Sequence, residues 1–153
     1  MSVGNFSWVV PGKLAGCSLP HFVPGDCDDA AWLAEQGVGM LVSFVRPEGD
    51  PAGECSRNGI EWIYYPVTDY GVPSDEDAFA ELIGKALTAI GEGRGVCFHC
   101  YAGVGRTGLA LACALGKYLS LNAEQAIAAV RKNRASIESL SQEEFTRRFL
   151  DGG

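Results

Sequence analysis

The sequence predicts one α/β domain: a mainly parallel central sheet covered by helices on both faces. Three observations point there. Short runs rich in β-branched and aromatic residues are bounded by Gly or Pro, as buried strands are. Between them lie stretches whose apolar residues recur at helical spacing. The 153 residues suffice for one core and are too few for two ordinary domains, so residues 1–153 are read as a single unit.

The strand-like segments are 39–45 (GMLVSFV), 60–67 (IEWIYYPV) and 95–99 (GVCFH), and an edge hairpin is expected from 7–10 and 13–15 around Pro11-Gly12. The first helical pattern covers 28–36. The run 74–77 (SDED) offers an N-cap and an acidic first turn for a helix reaching about Ile90, with Phe79, Leu82, Ile83, Ala86, Leu87 and Ile90 at helical spacing. Residues 107–119 are apolar on nearly all sides and should form a central buried helix. Asn122 caps another helix to about Lys132, and a last one runs from Ser139 or Ser141 to Leu150. Strands alternating with helices give a largely parallel sheet, and such sheets bind ligands beyond the carboxyl ends of their strands.

Twelve Lys and Arg against nineteen Asp and Glu leave a net charge of −7. That balance disfavours non-specific binding to nucleic acid or anionic lipid, so an anionic substrate must be held by local chemistry. The longest apolar stretch, 109–115, falls far short of the roughly 20 residues of a membrane helix. Residues 1–6 lack a basic segment followed by a long apolar core, and a cytoplasmic location is expected. The six cysteines are expected as free thiols, with Cys17, Cys27, Cys55 and Cys113 as small core residues. Cys97 and Cys100 form a single Cys-x-x-Cys pair without a second pair, so no metal site is expected.

The segment 99–108 (HCYAGVGRTG) stands where a strand ends and the buried helix begins. Backbone N–H groups in such a turn converge and carry partial positive charge, which suits a tetrahedral oxyanion. Tyr101, Ala102, Gly103, Val104 and Gly105 would supply the amides, with the glycines permitting close approach. Arg106 adds a planar fork for two phosphate oxygens. The same field favours a thiolate at Cys100. Thr107 could donate its hydroxyl to that sulfur, and His99 could brace the loop through the backbone.

His-Cys-x5-Arg-Thr-Gly resembles the signature of the cysteine-dependent protein tyrosine phosphatase superfamily. The opening 5–16 (NFSWVVPGKLAG), the loop 100–108, and Ser136-Ile137-Glu138 followed by Gln142 are similar to the small atypical, VH1-like dual-specificity phosphatases. The likeness runs from about Asn5 to Leu150. It implies a protein tyrosine phosphatase-like fold and a two-step reaction through a cysteinyl-phosphate, with Cys100 as nucleophile, Arg106 as phosphate clamp and no cofactor or metal. It also implies a phosphorylated protein as partner, inhibition by oxyanions such as vanadate, and a monomer.

Attack on phosphorus needs the leaving oxygen protonated. Asp69, which follows the strand ending at Val67 and opens a loop containing Gly71 and Pro73, is the expected acid and base. Thr68 stands where many relatives carry Pro, and Asp75, Glu76 and Asp77 are alternatives that a helix start already explains. For Gln142 two readings stand: the resemblance implies that it positions water, while its sequence position suits a helix cap paired with Ser139. Cys97 is either core or a redox partner of Cys100. Arg46 stands near the mouth of the site or is a solvated loop charge. Arg131, Lys132, Arg134, Arg147 and Arg148 are expected on solvated helix faces, and His21 at the surface.

Tyr101 and Val104 occupy places where phosphoinositide phosphatases of the superfamily carry lysine, which disfavours polyphosphorylated lipid. The short chain leaves no room for the long insertions that deepen the phosphotyrosine pocket in larger relatives, so the resemblance implies a shallow site for phosphotyrosine and for phosphoserine or phosphothreonine. An RNA 5′-triphosphatase is disfavoured by the absence of a basic stripe. A non-catalytic phosphate-binding module would require loss of nucleophile, arginine or acid.

Overall fold

An antiparallel hairpin opens the chain, β1 (Ser7–Val10) with β2 (Leu14–Cys17). In this computed structural model, residues 3–25 and 27–152 are described. The core expectation for the Cys27 side chain lies outside that description. A two-stranded ribbon, β3 (Phe22–Val23) and β4 (Cys27–Asp28), leads into α1 (Asp29–Glu35) and β5 (Val38–Ser43). Then come α2 (Pro51–Arg57), β6 (Glu61–Tyr64), α3 (Glu76–Gly91) and β7 (Gly95–His99). Three helices close the chain: α4 (Gly105–Leu119), α5 (Ala123–Arg131) and α6 (Leu140–Asp151).

The central sheet has the order β1-β2-β7-β5-β6, and every pair except β1-β2 is parallel. Strand β7, in the middle, is buried at all five positions, as a strand covered on both faces must be. Two apolar clusters divide the interior. One packs Phe44, Phe79, Phe98, Leu109, Leu111 and Phe145 between the sheet and α3–α6. The other packs Phe22, Ala30, Leu33, Leu41, Cys55 and Cys97 beneath α1 and α2. The parallel strands all end at one edge, where Cys17, Ser43, Tyr64 and His99 hand over to the loops.

Boundaries depart from the sequence reading in instructive places. Helix α2 is not among the helical patterns read from the sequence. The Asp50 carboxylate accepts the Gly53 N–H (3.0 Å) and Pro51 occupies the first turn, where its missing N–H costs nothing. The N-cap of α3 is Asp75, within the run expected to supply it, and accepts the Ala78 N–H at 3.1 Å. Helix α4 starts two residues earlier than expected, drawing Gly105 and Arg106 into its first turn. Strand β6 stops at Tyr64 because Pro66 cannot donate to a ladder, although the Tyr65 and Val67 N–H groups still reach Ser43 and Phe44 carbonyls.

A candidate phosphatase active site

The loop from Cys100 to α4 is organised by where its carbonyls go. The Cys100 carbonyl meets His99 Nδ1 (3.0 Å), Tyr101 accepts the Leu19 N–H (2.9 Å), and Ala102 accepts Asn5 Nδ2 (3.0 Å). Gly103 accepts Arg134 Nη2 (2.7 Å), and Val104 accepts the N–H groups of Gly108 and Ile137 (2.9 and 3.0 Å). All five carbonyls are therefore engaged with surrounding protein. The N–H groups of Tyr101 through Thr107 have no acceptor among the described residues, and Val104, at the N-cap of α4, offers no side-chain cap. Unpaired amides at the start of a 15-residue helix are an oxyanion site by geometry and by dipole. Gly103 makes the turn possible: its φ is +78°, and a Cβ there would lie 2.5 Å from the Cys17 carbonyl oxygen.

Cys100 is buried in this loop, and its sulfur accepts the Thr107 hydroxyl at 3.1 Å. Behind it, a buried polar chain runs across β6, β5 and β7. Trp62 Nε1 can only donate, and it donates to Ser43 Oγ (2.8 Å). The Ser43 hydroxyl is thus left to donate to His99 Nε2, so His99 carries its proton on Nδ1 and donates to the Cys100 carbonyl. Burial is the main cause that pulls the His99 pKa down to about 4, opposed by its bond to the Cys100 carbonyl and aided by the Arg106 charge. His99 is therefore neutral at pH 7, a fixed donor behind the loop.

Arg106, also buried, reaches across to the facing loop. Its Nη1 donates to the Val67 carbonyl (2.8 Å) and its Nη2 to Asp69 Oδ1 (3.3 Å). The Asp69 side chain is 63% exposed and its Oδ1 also accepts the Tyr70 N–H, in a turn where Tyr70 has φ +59°. Asp69 and the Cys100 loop are brought together. Asp75 is committed to capping α3, and Glu76 pairs with Arg148.

Gln142 is fully buried. Its backbone N–H is capped by Ser139 (3.3 Å), while its side chain takes the Glu138 N–H (2.8 Å) and donates to the Gly71 carbonyl (3.2 Å). It is neither the cap nor the partner that closes a capping box on Ser139. Its amide lies against the loop, since a Cβ on Gly105 would stand 3.0 Å from both amide atoms. Ser139 also donates to the Tyr70 carbonyl (3.0 Å), a second tie between the Asp69 loop and the start of α6.

Several expectations change. Arg134 is not on a solvated helix face: it follows α5, is 6% exposed, and lies between Gly16, Ser7 and Gly103. Arg131, Lys132, Arg147 and Arg148 are exposed. The Cys97 sulfur meets that of Cys17 at 3.5 Å, in the apolar cluster on the opposite face of the sheet from Cys100. The contact with Cys97, and then burial, push the Cys17 thiol well up, and burial raises Cys55 to about 12 and Cys113 still further, so these are inert neutral thiols. Arg46 is exposed, with its guanidinium 5.7 Å over the Trp62 ring. His21 is exposed. Sequence reasoning gave no role to Asn5 or Ser139 in holding loops, though Asn5 stood in the similar opening segment and Ser139 in the helix start. Among the described residues no group of three or more His, Cys, Asp or Glu is placed to hold a metal ion, and no helix is long and apolar enough to cross a membrane.

A cysteine in a loop of unpaired amides at the carboxyl edge of a parallel sheet, followed by a buried arginine bonded to an exposed aspartate, marks an α/β domain of the cysteine phosphatase type. Residues 3–146 match the family described as Swiss Army Knife protein, DSP-PTPase phosphatase domain, and the chain belongs to that family. It is 38% identical over 130 residues to Protein tyrosine phosphatase domain-containing protein 1 of Mus musculus, covering 74% of this chain and 17% of the relative. It is 28% identical over 138 residues to Tyrosine-protein phosphatase cdc-14 of Caenorhabditis elegans, covering 84% of this chain and 19% of that protein. The chain thus spans less than a fifth of either relative. The crystal structure of kinase associated phosphatase with serine substituted for its catalytic-site cysteine has the same fold: TM-score 0.81 at 23% identity, over 99% of this chain and 96% of that one.

Proposed function

We propose that the chain hydrolyses phosphotyrosine and phosphoserine or phosphothreonine monoesters on proteins, as one catalytic domain spanning residues 1–153. The observation that carries this is the division of the 100–107 loop, with the carbonyls of 100–104 engaged by surrounding protein and the amides that follow Cys100 unpaired among the described residues. In the first step the Cys100 thiolate attacks phosphorus, the ester P–O bond breaks, and Asp69 gives its proton to the departing oxygen. In the second, water attacks phosphorus, Asp69 takes a proton from it, and the S–P bond breaks to return the thiolate. Arg106 and the amides of Tyr101, Ala102, Gly103, Val104 and Gly105 bind the equatorial oxygens, whose charge they balance without a metal or cofactor. Thr107 stabilises the sulfur as it leaves, His99 fixes the loop, and the Gln142 amide, beside Gly105, orients the water.

Exposed Tyr70 and Tyr101, each adjacent in sequence to a site residue, favour an aryl phosphate on a protein over a polyphosphorylated lipid or RNA. Within the atypical dual-specificity group, the segments 5–16, 100–108 and 136–142 support a place nearest dual specificity phosphatase 23. The reading carries with it a cytoplasmic monomer inhibited by vanadate. Cys100→Ser is expected to abolish turnover of p-nitrophenyl phosphate while retaining vanadate-dependent thermal stabilisation; undiminished turnover overturns the assignment. Rates on phosphotyrosyl peptide, phosphothreonyl peptide, phosphoinositide and RNA 5′-triphosphate then rank the substrate classes, with the first expected highest.

A further inference from the structure

A buried guanidinium without a carboxylate is costly, because the charge leaves water and gains no counter-ion. Arg134 is such a group. It is 6% exposed, and its fork donates to the carbonyl of Gly16 in β2, to the Ser7 hydroxyl in β1 (3.0 Å) and to the carbonyl of Gly103 in the loop (2.7 Å). Its Nε has no hydrogen-bond partner among the described residues. Gly16 admits it: a Cβ there would stand 3.0 Å from the Arg134 Cζ, so the bare backbone of β2 makes room for the guanidinium. The groups of negative character that bear on Arg134 are the sulfurs of Cys17, Cys97 and Cys100, and burial is what weakens its hold on its own proton. Arginine nevertheless stays charged at neutral pH.

Of the three sulfurs, two face each other. Cys17 and Cys97 share a contact within an apolar cluster, and Cys17 is held neutral there. Cys100 alone has a hydroxyl donor and lies in the loop whose amides are unpaired. We propose that Arg134 is a positioning residue of this site, whose fork pins the Gly103 carbonyl outward so that the loop amides face phosphate, and whose buried charge is answered by the Cys100 thiolate. The inference rests on the phosphatase reading above. It deepens that reading by assigning the site a second guanidinium, on the far side of the loop from substrate.

The other titratable and charged groups around the Cys100 loop are Arg106 of α4, bonded to Asp69 of the facing loop, neutral His99 of β7, Glu138 beside Gly105, and the Cys17 and Cys97 thiols. None of the charged ones is bonded to Arg134, while the Cys17 and Cys97 thiols also feel its charge. The thiol pKa can be read from the pH dependence of iodoacetamide alkylation, with Cys100→Ser as the blank. Arg134→Met, shown folded by circular dichroism, is expected to raise the Cys100 pKa by about one pH unit, roughly tenfold less thiolate on the acid side, and to shift the acidic limb of kcat/KM equally. Arg134→Lys keeps the charge and loses the fork. It is expected to hold the thiol pKa within about half a unit of wild type while vanadate affinity falls about tenfold.

Should Arg134→Met not fold, Arg134→Lys decides, and unchanged vanadate affinity in that variant overturns the proposal. So does a depressed wild-type thiol pKa that a folded Arg134→Met leaves unmoved, with the phosphatase reading intact. An ordinary, unreactive wild-type thiol at Cys100 overturns both.

Discussion

Two loops face each other across the candidate site and are held by opposite means. Residues 100–105 are buried or pinned through every carbonyl from Cys100 to Val104, by partners from the N-terminal segment, β7, the turn after α5 and α4 itself. Residues 68–74 are mostly exposed and are held at a few points: Arg106 on Val67 and Asp69, Ser139 on Tyr70, and Gln142 on Gly71. The difference matches the two tasks of the proposed reaction. A cradle for an oxyanion gains from being preorganised before substrate arrives, whereas a proton donor above it must admit and release substrate. Both loops depend on the same guanidinium, since Arg106 is rooted in the first and bonded to the second.

The largest effect is therefore expected where the two meet. Arg106→Met removes the phosphate fork and both ties to the facing loop, and kcat/KM on p-nitrophenyl phosphate should fall roughly 1,000-fold. Loss of vanadate-induced stabilisation should accompany it. A variant that loses turnover but keeps full vanadate stabilisation would show that Arg106 serves the facing loop alone.

Asp69→Asn tests that loop by itself. The general acid must be protonated, so activity falls as pH rises through its titration, and the asparagine variant should lack this basic limb. A loss of about 100-fold is expected, greatest for poor leaving groups, with vanadate binding kept. A normal basic limb would move the acid to another group.

His99 probes the pinned loop through stability. It accepts a proton near pH 6.5 when unfolded but only near pH 4 in the fold, where burial keeps the ring neutral. The unfolded chain therefore binds more protons between those values, and the native state loses about 3 kcal/mol as pH falls from 6.5 to 4, with none of that loss above pH 6.5. Replacing His99 with Gln, which can keep one donor and one acceptor, should flatten this part of the stability profile in urea titrations at pH 4.5 and 7. An unchanged slope would assign the loss to other groups.

The unequal legibility of the two loops has a physical origin. The pinned loop announces itself because its chemistry is local: Cys100, the glycines and Arg106-Thr107 fall within one turn, and a strand-to-helix junction can be read from periodicity on either side. The α/β sheet is legible for the same reason. Arg134 is not, because its run with Arg131 and Lys132 has the pattern of a solvated helix end, and it is buried by a partner 118 positions away, Gly16. Gln142 divides the two cases. Its spacing from Ser139 fits a helix start, and that spacing is real in the backbone, yet the side chain is drawn one residue further to Glu138 and across to Gly71. A cap and a tether share one sequence signature; only the facing loop distinguishes them.

That distinction gives the smallest effect and the most specific test. Ser139 holds the Tyr70 carbonyl and caps α6, so Ser139→Ala removes both, while Ser139→Asp keeps an N-cap acceptor and cannot donate to Tyr70 when ionised. The alanine variant should lose about 1 kcal/mol of stability from the cap, and the aspartate variant little or none. Both should lower kcat by less than about tenfold and to the same degree, because both release Tyr70 from α6 without touching the cradle. If the aspartate variant instead turned over at the wild-type rate while the alanine variant did not, the cap would govern catalysis. The contrast between a pinned cradle and a tethered acid loop would then fail at its weakest tie.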